Sequence, residues 1–242
     1  MNKEQIRQYF MVFILSLAVA GVFSLYLFYR RGYYDLFVLN KVLASASLAL
    51  LGIVLLIGPL SRFYNRFDKW LIYRREIGIS AFFMALAHIA ISFFFLSDRF
   101  NPSFFQKNSR GTLWGLIALA LLAVLYIASF EKIIKRINKK LWIEIQSWGI
   151  RIGTFLVLLH LVILKYAGWL KWLKEGGAPE LAQPNFPPAS LLGALFIAFV
   201  GIVRFGELFG KTAGKWIFVI SFVGLLLVFV ILFILAPWSI VR

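Results

Sequence analysis

Runs of about twenty apolar residues recur along this chain, at 9–29, 40–60, 76–97, 112–131, 148–170, 189–206 and 216–236. Each is long enough to cross a hydrocarbon core of roughly 30 Å at about 1.5 Å per residue. Inside lipid a single segment can satisfy its own backbone only as a helix, so the pattern predicts an all-α integral membrane bundle of about seven transmembrane helices. Composition agrees, because 62% of the 242 residues are apolar, 15% are charged and the mean hydropathy is +0.86. A water-soluble domain of this length does not carry such values. The first run exceeds a signal-peptide core and has no small-residue cleavage site behind it, so it reads as a retained span.

The net charge of +16 resides in short loops between apolar runs, with no soluble basic domain to present it, which favours topology over nucleic-acid binding. With the N-terminus cytoplasmic, 16 of the 26 Lys and Arg residues fall inside, which predicts a multi-pass cell-membrane protein with an extracytoplasmic C-terminus. The most basic inner loops, 62–75 and 132–147, suit anchoring to anionic lipid headgroups. The loop from Lys171 to Pro188 holds Gly176, Gly177, Pro179, Pro184 and Pro187, and reads as a flexible connector or an outward docking surface. Zero cysteines exclude a covalently attached c-type heme, an iron–sulfur cluster and disulfides. Any redox chemistry therefore needs a non-covalent cofactor. Gly-rich phosphate loops, paired carboxylates and nucleophile–base pairs are missing, which leaves hydrolase and kinase readings without support. A transporter would show more polar or interrupted helices at mid-membrane.

The chain's only two histidines, His88 and His160, each lie deep in an apolar helix, where an ionisable group is costly and is by default a functional candidate. The alternative is a helix–helix hydrogen-bonding group. His88 is 13 residues beyond Arg75 and His160 is 12 beyond Trp148, which puts them about 20 and 18 Å from the cytoplasmic ends of two parallel helices. Both imidazoles are thus expected at one level, nearer the outer face. Small residues precede each ring on its own helix face, Ala81 and Ala85 before His88 and Gly149 and Gly153 before His160. They offer room for a flat macrocycle, or else for close helix packing. Neutral imidazole is a good heme-iron ligand, and two axial imidazoles make a six-coordinate electron carrier. Zinc or copper would want three or four protein ligands, and no Cys, Asp or Glu stands at that depth.

The stretch Arg74-Arg75-Glu-Ile-Gly-Ile-Ser-Ala-Phe-Phe-Met-Ala-Leu-Ala-His88, with 142–169 and 188–204, resembles the ferric-reductase-like transmembrane family, the heme-bearing core of ferric reductases and NADPH oxidases. Within it the similarity is greatest to the heme-binding membrane subunit of the bacterial periplasmic methionine-sulfoxide reductase system. The resemblance implies a six-helix core over 40–206, an N-terminal helix and loop over 1–39, and an additional C-terminal helix over 207–242. It implies a b-type cytochrome and an oxidoreductase component, with His88 and His160 as axial ligands of one heme b. The family's inner heme positions fall on Arg74 and Ser147, neither of which is a normal heme ligand, so one heme rather than two is implied. No FAD- or NAD(P)H-binding domain is present, so the electron donor is expected to be separate, a flavin reductase or a membrane quinol. The acceptor is expected to be an extracytoplasmic reductase or a metal ion.

Arg74, Arg75 and Arg151 surround the inner level, and their guanidinium groups suit the phosphate of a flavin mononucleotide (FMN) or, as such clusters more often serve, a lipid headgroup. Lys165 follows His160 by five residues and suits a heme propionate or snorkelling to the outer headgroups. Trp148, Trp169 and Trp172 read as an interfacial aromatic belt, Glu207 as a loop charge near Arg204, and Glu76 as a helix N-terminal carboxylate. A different class of reading remains open alongside the cytochrome: a non-catalytic membrane scaffold or transporter subunit with structural histidines.

Overall fold

The computed structural model describes residues 3–235 and is all-helical over that range. Seven long helices account for it: α1 (Lys3–Arg31), α2 (Leu36–Phe63), α3 (Arg74–Ala90), α4 (Ser109–Ala128), α5 (Lys139–Glu175), α6 (Ala189–Gly206) and α7 (Gly210–Leu235). By length and composition there are six apolar stretches able to cross a membrane. The last of them, Ala189–Ile234, contains both α6 and α7. Gly210 at φ +85°, a conformation that only glycine adopts without strain, breaks this stretch into a hairpin. The aromatic ring of Phe199 meets both Phe218 and Phe222, and Gly206 faces Ile217, as two antiparallel helices require. The protein is a multi-pass membrane bundle. Of the sequence-based spans, position 236 and the rest of the C-terminal segment lie outside the described residues.

Helix α2 is the centre. It packs on α1, α3, α5, α6 and α7, and Leu50, Leu51, Val54, Leu55, Ile57 and Phe63 lie in the main core with Ile77 and Ala81 of α3 and Val200 and Val203 of α6. Asp35 caps its first turn by accepting from the Val38 amide at 2.7 Å. Pro59, at the end of the second apolar run, is buried inside α2, which runs on to Phe63. A proline interrupts a helix less in a membrane bundle, where neighbouring helices re-satisfy the freed backbone. The other boundaries moved for similar reasons. Helix α5 has 37 residues, about 55 Å, so the basic segment from Lys139 is helical beyond the membrane's thickness. Asn101, between the third and fourth apolar runs, caps a short helix Pro102–Lys107 whose proline sits at the first position.

The segment after α5 is not a free connector. Arg30 donates from Nε to the Phe186 carbonyl at 2.8 Å, the Gln183 amide donates to the Arg30 carbonyl at 3.0 Å, and the Tyr26 hydroxyl donates to the Pro187 carbonyl. Trp172 adds an indole N–H bond to the Pro184 carbonyl at 3.3 Å. Trp169 and Trp172, expected in an interfacial belt, are buried, because their N–H groups are used internally, Trp169 on Ser190. Trp148 alone of the three is exposed.

Candidate functional site

His88 points from α3 toward α2. Its Nδ1 lies 2.8 Å from the Asn40 side-chain oxygen and 3.1 Å from the Asn40 backbone carbonyl. A carbonyl oxygen can only accept, so Nδ1 carries the hydrogen. His160 points from α5 toward α4, with Nδ1 2.8 Å from the carbonyl of Gly111, and the same argument makes its Nδ1 the donor. Both imidazoles are therefore fixed in the Nδ1–H tautomer, and both Nε2 lone pairs remain without a hydrogen-bond partner among the described residues.

Glycine makes the His160 pose possible. The ring rests on Gly115 of α4, where an added Cβ would stand 2.6 Å from Nδ1 and 2.8 Å from Cε1. His160 and Lys165 lie within electrostatic reach of His88, and Lys165 within reach of His160. Yet α3 and α5 do not pack face to face. Each is held by α2 and α4, which leaves the histidine-bearing helices standing apart.

Of the two uses expected of the small residues, the contacts of three of them are those of helix packing. Gly149 and Gly153 face Leu125 and Leu122 of α4, and Ala81 is fully buried in the core, its carbonyl accepting from Ser47 of α2 at 2.8 Å. They bring helices together.

At the histidine end of the bundle a group of cations gathers. Lys41 is within electrostatic reach of Arg30, Arg31, Arg99 and Lys165. Arg31, Lys41 and Arg99 share the ring of Phe37 at 5.3, 4.2 and 4.2 Å. None of these five side chains belongs to an ion pair among the described residues. The sequence pointed to Lys165 alone, because the others come from segments that only the fold assembles.

At the opposite end Arg74, Arg151 and Arg204 lie within electrostatic reach of one another, and the Nε of each is buried without a partner. Arg204 donates to Glu207 at 2.6 Å, and Arg62 stands 4.0 Å from the same carboxylate. Arg151 lies over the Trp148 ring at 4.9 Å. Arg75 leaves the group, donating from Nη2 to the Ser129 carbonyl at 2.7 Å at the end of α4 and pairing with the buried Glu76. Arg204, absent from the sequence-based set, takes its place through the approach of α6 to α2 over Gly58.

Among the described residues no group of three or more His, Cys, Asp or Glu side chains could hold a metal ion. His88 and His160 would together offer two imidazoles. That falls short of a bare zinc or copper site and fits an iron whose other four ligands come from a macrocycle.

Residues 43–157 match the family model described as ferric reductase like transmembrane component. This part of the chain is similar to a ferric-reductase-like transmembrane component. The matched stretch runs from α2 through α4 and into α5, contains His88, and ends three residues before His160. Metalloreductase STEAP2 of Mus musculus is 24% identical over 193 residues, covering 66% of this chain and 39% of the relative. Its Homo sapiens counterpart is 25% identical over 197 residues, covering 66% and 39%. Metalloreductase STEAP3 of Rattus norvegicus is 26% identical over 199 residues, covering 68% and 40%. The chain thus spans about two fifths of the length of these relatives. They support the ferric-reductase-like component, and the narrower likeness to the methionine-sulfoxide reductase subunit does not rest on them.

Proposed function

We propose that the chain is a b-type cytochrome-like membrane electron-transfer protein in which His88 and His160 hold one heme iron between them. The observation that carries the reading is the pair of imidazoles in a single tautomer, each tied back through Nδ1–H, on helices that stand apart. Tying back Nδ1–H orients an imidazole and raises its basicity, as a ligand histidine requires. When bound, a heme ligated on both sides supplies one-electron transfer without an open position for oxygen. Lys165, with Lys41, Arg31 and Arg99 behind it, would neutralise the carboxylates at the heme's edge. At the other end Arg74, Arg151 and Arg204 would hold a phosphate, from FMN or from a lipid.

The orientation follows the positive-inside bias, with the N-terminus cytoplasmic, the arginine cluster inward and the histidines outward. A separate flavin reductase or quinol would donate. The acceptor class is a chelated metal ion, in keeping with the relatives named metalloreductases, or an extracytoplasmic reductase. Purification in detergent after heme-replete expression, followed by reduced-minus-oxidised spectra, tests the reading. A b-type band that disappears in His88→Ala and His160→Ala is expected, and a colourless protein rules the proposal out.

The second reading, a scaffold or transporter subunit with structural histidines, has its own observation: both rings hydrogen-bond to neighbouring helices. It predicts no pigment and a loss of about 1 kcal/mol on removing either histidine.

A further inference from the structure

Asn40 lies one turn into α2, is 1% exposed, and has a closed set of partners. Its side-chain oxygen accepts from His88 Nδ1 at 2.8 Å, and its amide donates to Ser92 Oγ at 2.9 Å. Ser92 in turn donates to the His88 backbone carbonyl at 2.9 Å. The ring of bonds therefore returns to the residue it began from. Ser92 belongs to the π-helical turn Ile91–Phe95 that follows α3, a widened turn of the kind found at functional sites. A plain α-helical continuation would not be needed to bury an asparagine.

The two histidines are thus anchored differently. His160 uses a backbone carbonyl, which no side-chain substitution removes, whereas His88 uses a side-chain amide supported from behind. We infer that Asn40, oriented by Ser92, is a positioning residue that sets the electron-donating strength of the His88 imidazole and so tunes the potential of the group His88 ligates. The inference rests on the bis-histidine heme reading. An acceptor at Nδ1–H gives the imidazole partial imidazolate character, which favours ferric over ferrous iron. Without the side-chain oxygen, Nδ1–H keeps only the weaker backbone acceptor at 3.1 Å.

The experiment is a redox titration and heme-dissociation measurement on the full detergent-solubilised chain, wild type against Asn40→Leu and Asn40→Asp. Losing a buried partner of a metal-ligating histidine typically costs about 10–100-fold in affinity. A tenfold loss confined to the ferric state reads as a rise of about 59 mV for one electron. Asn40→Leu is expected to raise the midpoint by at least about that much and to release heme faster. Asn40→Asp keeps an oxygen at the same place and is expected to return the midpoint to the wild-type value or below it. A merely structural Asn40 would lower thermal stability in Asn40→Leu while leaving the midpoint where it was, and that result overturns the inference. A rise shared equally by Asn40→Asp overturns it too, since an oxygen acceptor would then make no difference. Wild-type protein without heme instead defeats the bis-histidine reading itself, so the two failures are distinguishable.

Discussion

Gly115→Ala isolates the pose of His160 from everything else in the bundle. The new Cβ would stand 2.6 Å from Nδ1, where ordinary contact begins at 3.4 Å, so the ring must retreat from α4 by the difference of about 0.8 Å. Gly111, whose carbonyl accepts from the same nitrogen at 2.8 Å, lies one turn away on the same helix. Retreat from one is retreat from the other, and the hydrogen bond stretches to about 3.6 Å, beyond a real bond. The imidazole loses its orientation and its tautomer is no longer fixed. Helix propensity acts the opposite way, since replacing glycine by alanine in a helix interior gains roughly 0.8–1 kcal/mol. The loss of a neutral hydrogen bond costs about 1 kcal/mol, so thermal stability of the heme-free protein should scarcely move. Heme affinity should fall about 10–100-fold. The assay is heme retention during dilution into apomyoglobin, beside a thermal melt of the apoprotein. Gly168→Ala on α5, where an added Cβ meets nothing within 4 Å, is the control. If Gly115→Ala holds heme as firmly as the control does, His160 is not a ligand in the pose described.

Three further substitutions follow from contacts elsewhere. Gly52→Ala places a Cβ 2.9 Å from Ile197 and against Phe196, which wedges α6 from α2; overpacking of this kind should cost about 1–3 kcal/mol in detergent thermal unfolding. Arg30→Met removes the charged bond to the Phe186 carbonyl and should destabilise by about 1.5–3 kcal/mol, with faster proteolytic nicking between Gly176 and Pro188 as the direct readout. Arg204→Met strips Glu207 of its 2.6 Å partner and removes one of three clustered guanidiniums, so binding of a phosphate-bearing probe such as FMN should weaken, while the heme spectrum stays as in wild type.

Much of the architecture was legible because lipid imposes a single solution on a long apolar run, and hydropathy therefore pointed to the long helices among the described residues. The ends were harder to place. Pro59 and Lys139 look like loop residues by local rules, but a membrane bundle keeps a helix going wherever neighbours or headgroups satisfy its backbone. The histidines stood out because an ionisable group in hydrocarbon is expensive and must be doing something. Asn40 did not, since it sits where a hydropathy run begins and looks like a boundary residue. Only the packing of α2 against α3 turns it toward His88. Gly149 and Gly153 show what periodicity leaves open. Their spacing was read correctly as a small-residue face, but periodicity within one helix cannot say which neighbour occupies that face, and α4 occupies it. Arg204 was missed for the same reason, being brought to Arg74 and Arg151 by the approach of two helices distant in sequence.

One helix supports both ends of the arrangement. Near its start α2 presents Asn40 to His88, and near its middle Ser47 bonds the Ala81 carbonyl of α3. Toward its far end Gly58 leaves space for the Arg204 guanidinium, with 3.2 Å from the position of a Cβ to Nη1. The histidine end and the arginine end are therefore positioned against a common rod, yet by different partners. Helix α3 carries both His88 and Arg74, so their separation is fixed at 14 residues, about 21 Å of helix rise. Arg204 depends on α6, whereas the orientation of His88 depends on Asn40 and the π-helical turn. A disturbance of the α2–α6 contact should consequently loosen the arginine cluster and leave the His88 tautomer intact. The two ends share a support but no side chain.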